Sequence, residues 1–201
     1  MDPAGLAAHT GRYLELAAVA LAVGIALGIP LGIAAALVRA ARTPVLLLAN
    51  AGRVIPSLAL LTFMIPLLGF GFAPALAALS VLALAPVAIT TDVAMRAISP
   101  AVLDAARGMG MNASQMFVRV QWPLALPLIF SGIRTATTEV IASAVLASFI
   151  GAGGLGDDIQ SGLQADEPGR LWSAVVLIAI VALLAEWGLS QIVRRGGAQR
   201  A

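Results

Sequence analysis

The sequence predicts an all-α, polytopic membrane bundle of about five transmembrane helices, forming a single domain over residues 1–201 with one sizeable loop at about 96–123. Three observations carry that reading. Hydrophobic residues make up 60% of the chain and charged residues 11%, whereas a soluble domain is about a quarter charged. So few charges cannot cover a globule of this size in water, and lipid must solvate most of its surface. Five apolar stretches reach the roughly 20 residues that a span requires. The arginines, finally, gather on one side of the bundle those stretches would make.

The first stretch runs from Leu14 to Val38 and stops at Arg39 and Arg42. Asp2 stands where a signal peptide would carry a basic residue, and the apolar run exceeds a signal core, so it is expected to remain as a span. Within it Gly24, Gly28 and Gly32 recur every fourth residue. Small residues at that spacing let helix backbones approach closely in lipid. The second stretch is Val45–Leu68 and the third Pro74–Met95. Pro30, Pro56, Pro66 and Pro86 are expected to kink or break their helices, which lipid tolerates where neighbours re-satisfy the freed backbone groups. The fourth stretch, Leu126–Ile150, ends in Gly151-Ala-Gly-Gly-Leu-Gly156. The fifth, Leu171–Val193, stops at Arg194 and Arg195. No internal repeat is visible, which argues against an inverted-repeat secondary transporter.

Orientation follows from arginine placement. With the N-terminus outside and the C-terminus in the cytoplasm, Arg39, Arg42, Arg96, Arg107, Arg119, Arg194, Arg195 and Arg200 are cytoplasmic, and only Arg12 and Arg170 are external. The reverse topology would invert the positive-inside bias. Asp157, Asp158, Asp166 and Glu167 then face outward.

The longest polar stretch, Arg96–Gln121, retains amphipathic helical character. Ser99 and Pro100 suit the cap and first position of a short helix, and Gly108 and Gly110 favour a stop and a sharp turn. A second short helix is expected after Asn112 or Ser114, ended by Pro123. Two small helices hinged at glycine, with Ala105 and Ala106 as a low-profile face, make a knob suited to a groove on a partner protein.

The residues of this loop resemble the inner-membrane permeases of type I ABC importers. The signature of that family is Glu-Ala-Ala, three residues, Gly, then nine residues to Ile-x-Leu-Pro. Here Asp104-Ala105-Ala106, Gly110 and Val120-x-Trp122-Pro123 keep each spacing, with Asp for Glu and Trp for Leu. Ile55-Pro-Ser-Leu-Ala-Leu-Leu, Ile133-Arg-Thr-Ala-Thr and Ile150-Gly-Ala-Gly-Gly-Leu-Gly-Asp are similar to the glycine betaine/carnitine/choline branch, and the resemblance spans about Glu15 to Arg195. It implies a permease without an ATPase site of its own. The implied partners are a second permease copy, identical or not, a cytoplasmic ABC ATP-binding subunit and an external solute-binding protein. It further implies that Asp104, Ala105, Ala106, Gly110, Val120 and Pro123 form the contact with the ATP-binding subunit. A permease for another small solute, such as methionine, shares the loop, and an ion-coupled transporter is the rival outside the class.

Chemistry elsewhere is sparse. The chain has no Cys, and its only His is His9, which excludes thiolate catalysis, a His–Cys metal cluster and an intramembrane Ser-His-Asp triad; no metal or cofactor is expected. A net charge of +2 gives no reason to expect nucleic acid. Gly151–Gly156 formally matches GxGxxG, but it follows a membrane span rather than a strand, and a tight external turn is the better reading. Among charges in or near spans, Asp92, Arg134 and Glu186 fall near the cytoplasmic ends, where an interfacial role is expected. Arg53 sits deeper, facing an inner vestibule. Glu139, well inside the fourth span, pairs with Arg53 or Arg134 or lines the pathway; these alternatives are open. Pro56 and Ser57 complete the candidate gate.

Overall fold

The computed structural model describes the backbone of residues 3–198 and the side chains of residues 4–191. Arg200 lies outside the described residues, and the side chains of Arg194 and Arg195 lie outside the described side chains. Among the described residues there are helices and no strands. These are α1 (Pro3–Leu37), α2 (Arg39–Val54), α3 (Ser57–Leu68), α4 (Phe72–Arg96), α5 (Pro100–Gly108), α6 (Ala113–Met116), α7 (Trp122–Ala144), α8 (Leu155–Gln164) and α9 (Pro168–Ala198). Four continuous helical stretches are long and apolar enough to cross a membrane: Ala4–Leu37, Phe72–Arg96, Ala113–Ile150 and Pro168–Gln191. The bent pair α2–α3 makes a fifth if counted as one span.

The centre is α4, with Ala75, Ala78, Leu79, Ala83, Val87 and Ala88 all fully enclosed. α1 lies along it in the same direction, as the glycine stripe predicts. Gly24 faces Ala83, Gly28 faces Val87, and Gly32 faces Ala88 and Thr91. Because both series rise together, α1 and α4 are parallel. α7 returns antiparallel to α4 and presses Gly132 against Thr90. Tyr13 of α1 is buried and donates its hydroxyl to the Ile141 carbonyl of α7 at 2.6 Å, satisfying a polar group that lipid could not. Large apolar side chains remain outward on the rim, including Leu48 (69% exposed) on α2 and Leu183 (69%) on α9. Such a surface suits lipid or a partner rather than water.

Pro56 breaks the second span as expected: α2 and α3 meet at 107° around Ile55-Pro56. Proline disfavours the helical region for the residue before it, and Ile55 is extended (φ −72°, ψ 125°). Pro30, Pro66 and Pro86, by contrast, lie within continuous helices. Pro123 does not end the second loop helix. α6 passes through a π-helical turn, Phe117–Gln121, directly into α7, where Pro123 occupies the first turn. The wider i→i+5 turn accommodates a ring that would clash with the preceding α-helical carbonyl. The glycine-rich segment does turn sharply, with Gly151, Gly153 and Gly154 at φ of 75°, 81° and 101°, but an unforeseen helix, α8, begins at Leu155.

Candidate functional site

The break between α2 and α3 positions the candidate gate. Arg53 lies in the last turn of α2, Pro56 caps α3 and Ser57 begins it. All three line one cavity of about 370 Å³, together with Glu139, Ala142 and Ser143 of α7, Leu82 of α4, and Val54 and Ile55. The four residues singled out as pathway candidates therefore converge. Leu82 lies about 15 Å along α4 from its start at 1.5 Å per residue, so the cavity sits at mid-height in the bundle.

Two intramembrane ion pairs settle the pairing of Glu139. Arg134 of α7 is hydrogen-bonded to Glu186 of α9, which leaves Arg53 for Glu139. That second pair is loose: Arg53 Nη2 and Glu139 Oε1 are 3.9 Å apart, beyond hydrogen-bonding distance. The two side chains are 46% and 34% exposed, so both charged ends reach the open volume.

The loop lies at the end of the bundle where α4 finishes. α5 begins with Pro100 in its first turn after Ser99, whose side chain makes no capping bond. Asp104 is exposed and bonds Arg107 one turn on, at 2.9 Å. Ala105 is exposed, but Ala106 is turned inward and buried, so only one alanine of the pair contributes to the outer face. Gly110 has φ 80°, a left-handed conformation costly for a residue with a Cβ. Asn112 caps α6 in a reciprocal capping box with Gln115. Val120 lies in the π turn and Pro123 just after it, both half-buried, and Phe117 packs on Trp122 with ring centroids 6.3 Å apart. The two-helix knob thus has a sharp glycine hinge on one side and a helix continuous with α7 on the other.

The same end gathers Arg39, Arg42, Arg96, Arg107 and Arg119. Here the sequence reading missed a feature. Asp92 is enclosed within the bundle at that end: its side chain is 2% exposed, with Arg42 Nε at 3.8 Å and Arg96 Nε at 3.6 Å. It joins the start of α2 to the end of α4. An acidic residue four before an arginine was the available signal, but the enclosure by α2 is tertiary. At the opposite end, Asp158 of α8 is buried and receives bonds from Arg170 of α9 at 2.9 Å and His9 of α1 at 2.7 Å. His9, Asp158 and Arg170 line a second cavity of about 660 Å³, with Asp166 and Glu167. Next to it, the Asp157 carboxyl is held above its ordinary range, chiefly by burial. Neither network contains a group of three or more metal-binding side chains among the described residues.

Residues 28–195 match the family described as binding-protein-dependent transport system inner membrane component. The glycine betaine/carnitine/choline transport system permease protein of Bacillus subtilis (strain 168) is 36% identical over 186 residues, 92% of this chain and 86% of that protein. The carnitine transport permease protein of Listeria monocytogenes is 41% identical over 138 residues, 69% of this chain; the match spans 63% of that protein's length. Among solved structures, the MetNI methionine ABC transporter in an inward-facing conformation is alike in fold, with TM-score 0.84 at 24% identity. That match covers 98% of this chain and 99% of the other.

Proposed function

The chain belongs to the binding-protein-dependent transport system inner membrane components, and from that premise we propose that it is the permease subunit of an ATP-driven importer for a small osmoprotectant such as glycine betaine, choline or carnitine. The observation that carries the reading is likeness over 92% of the chain to a permease named for those solutes. In this reading residues 1–201 form one transmembrane domain in the bacterial inner membrane, N-terminus outside and C-terminus cytoplasmic. The arginine-rich end then meets the cytoplasm, as the positive-inside bias requires.

Energy enters through the loop. A cytoplasmic ATP-binding subunit grips the knob through Asp104, Ala105, Gly110, Val120 and Pro123, with Ala106 seating the helix from within. Hydrolysis is the partner's. Because α6 runs unbroken into α7, a push on the knob travels along a rigid rod to Glu139, a route for rigid-body gating. The permease pairs with a second copy, identical or related, and the solute arrives from an external solute-binding protein. The cavity bounded by Arg53, Pro56, Ser57 and Glu139 lies on the pathway.

A permease for an amino acid such as methionine is the second reading, favoured by the fold likeness to the methionine transporter. One experiment separates the two: uptake of labelled glycine betaine, carnitine, choline and methionine into proteoliposomes holding this chain, its ATP-binding subunit and the solute-binding protein, with and without ATP. The expected result is ATP-dependent uptake of one or more of the first three. Methionine uptake alone would select the second reading, and gradient-driven uptake without ATP would overturn both.

A further inference from the structure

Of the two intramembrane ion pairs, one is closed and one is open, and both border a cavity, of about 420 Å³ beside the closed pair and about 370 Å³ beside the open one, so what sets the second apart is that its charges do not satisfy each other. Arg134 and Glu186 satisfy each other by hydrogen bonds. Arg53 and Glu139 stand 3.9 Å apart and half-exposed at mid-height in the bundle, where unsatisfied charge is expensive unless it faces a wet interior. A pair that served only to hold α2 to α7 would gain by closing. This pair leaves a guanidinium and a carboxylate both facing a volume of about 370 Å³, within the range of small-molecule sites, about 300–1,000 Å³.

We propose that Arg53 and Glu139 form a transit site within the permease for a small zwitterion, with Arg53 taking the carboxylate and Glu139 the quaternary ammonium. The inference rests on the osmoprotectant reading above and adds a site to it. The fit is one of charge and shape. In a betaine the nitrogen and the carboxylate carbon are two bonds apart, about 2.5 Å at ordinary bond lengths. Lying antiparallel beside the open pair, the solute sets each of its charges against the opposite one and leaves the net charge of the site unchanged. A lone cation or anion would leave one end of the pair uncompensated. A carboxylate suits the forked donors of a guanidinium. A methylated ammonium has no N–H to donate, so it needs only a nearby negative charge and apolar walls, and Val54, Ile55, Pro56, Leu82 and Ala142 supply those walls. The first-turn N–H groups of α3, which have no partner inside their own helix, begin at Ser57 in the same wall. None of the lining residues is aromatic, so the cation–π cage that gives tight capture of such cations is absent from the cavity lining. The site binds weakly, as a transit site must if it is to release its solute.

The test uses the purified complex of this chain with its ATP-binding subunit in lipid nanodiscs, without solute-binding protein, titrated with glycine betaine and separately with choline, which carries the cation but no carboxylate. Binding is read by saturation transfer to the N-methyl protons. Arg53→Gln is expected to weaken glycine betaine roughly tenfold, the value of one charge-assisted hydrogen bond, and to leave choline no weaker, since the guanidinium repels a lone cation. Glu139→Gln weakens both solutes. Arg53→Lys, which keeps the charge, restores most of the glycine betaine affinity, a rescue that damaged folding would not permit. The proposal is overturned if wild type binds no glycine betaine. It is equally overturned if Arg53→Gln weakens both solutes alike, or weakens neither. Binding without ATP-dependent uptake would sink the transport reading and spare the site; uptake without binding would do the reverse.

Discussion

Replacing Gly32 with alanine tests the packing on which the bundle depends. A Cβ there would lie 2.5 Å from both the Ala88 carbonyl oxygen and the Thr91 Cβ, and 3.0 Å from Thr91 Cγ2. Carbon contacts settle at about 3.5–4.0 Å, so α1 and α4 must separate by about 1 Å locally. Thr91 cannot simply rotate away, since its hydroxyl is donated to the Val87 carbonyl at 2.7 Å and it is fully buried. The Ala88 carbonyl belongs to the backbone of the most enclosed helix. Overpacking costs about 1–3 kcal/mol, and backbone on one side places Gly32→Ala near 3 kcal/mol. Gly28→Ala falls lower, because its contacts are longer, 2.9 Å to Val87 Cβ and Cγ1 and 3.1 Å to the Leu84 carbonyl oxygen. Gly11→Ala, on the same helix with nothing within 4 Å, provides the control, and helix propensity favours it by up to about 1 kcal/mol. Unfolding in mixed micelles, followed by tryptophan fluorescence, measures all three. The reasoning fails if Gly32→Ala lies within about 0.5 kcal/mol of Gly11→Ala, the spread of an ordinary surface change.

Other positions give equally direct outcomes. Gly110→Val forces a β-branched residue to a positive φ with open space around it, a backbone cost of about 1–2 kcal/mol; uptake should fall far more than ATP hydrolysis, and parallel assays showing both intact would remove the hinge from the mechanism. Asp92→Asn leaves Arg42 and Arg96 facing each other without their acid. The half-exposure of both arginines puts the loss between that of an exposed and a buried pair, about 1–3 kcal/mol, and unchanged unfolding would show the acid to be dispensable. Asp157 is held above its ordinary carboxylate range, first by burial and then by Asp158, with His9 and Arg170 opposing. The folded chain therefore binds that proton more tightly than the unfolded one, and stability falls as pH rises from about 3.8 through the raised value. Asp157→Asn should be at least as stable as wild type at pH 7, with the gap closing toward pH 4, and melting curves across that range that run the other way would contradict the assignment.

Much of the bundle can be read without coordinates because lipid imposes local rules. An unbroken run of apolar residues long enough to span must form a helix that satisfies its own backbone, so the spans around Gly24, Ala83 and Ala136 are legible from composition alone. The stripe Gly24, Gly28, Gly32 is likewise local, since a four-residue spacing places small side chains on one face whatever they meet. The spacing from Asp104 through Gly110 to Pro123 and the capping residue Asn112 are written in neighbouring residues. Helix α8 escaped because its ten residues are too few and too polar for a span, and its acidic first turn reads equally well as loop.

What the sequence determined by itself is the class of molecule: a helical membrane protein, its spans, its glycine packing face and its hinged loop, each dictated by interactions within a turn or two of chain. The tertiary structure alone decided which proline breaks its helix. Six prolines lie in the apolar stretches, Pro30, Pro56, Pro66, Pro74, Pro86 and Pro127, and every one removes a backbone donor. Pro86 remains helical inside α4, where neighbours enclose it. Pro30 and Pro66 stay helical although exposed, whereas Pro56 turns the chain through 107°, so burial of the ring does not decide the outcome; what differs is that α2 and α3 each pack on α4 in their own direction. Structure alone also decided that Glu139 meets Arg53 and not Arg134, and that Asp92 is enclosed. Charge attraction is blind to sequence separation, so partners are chosen by which helix faces come together, and that choice belongs to packing.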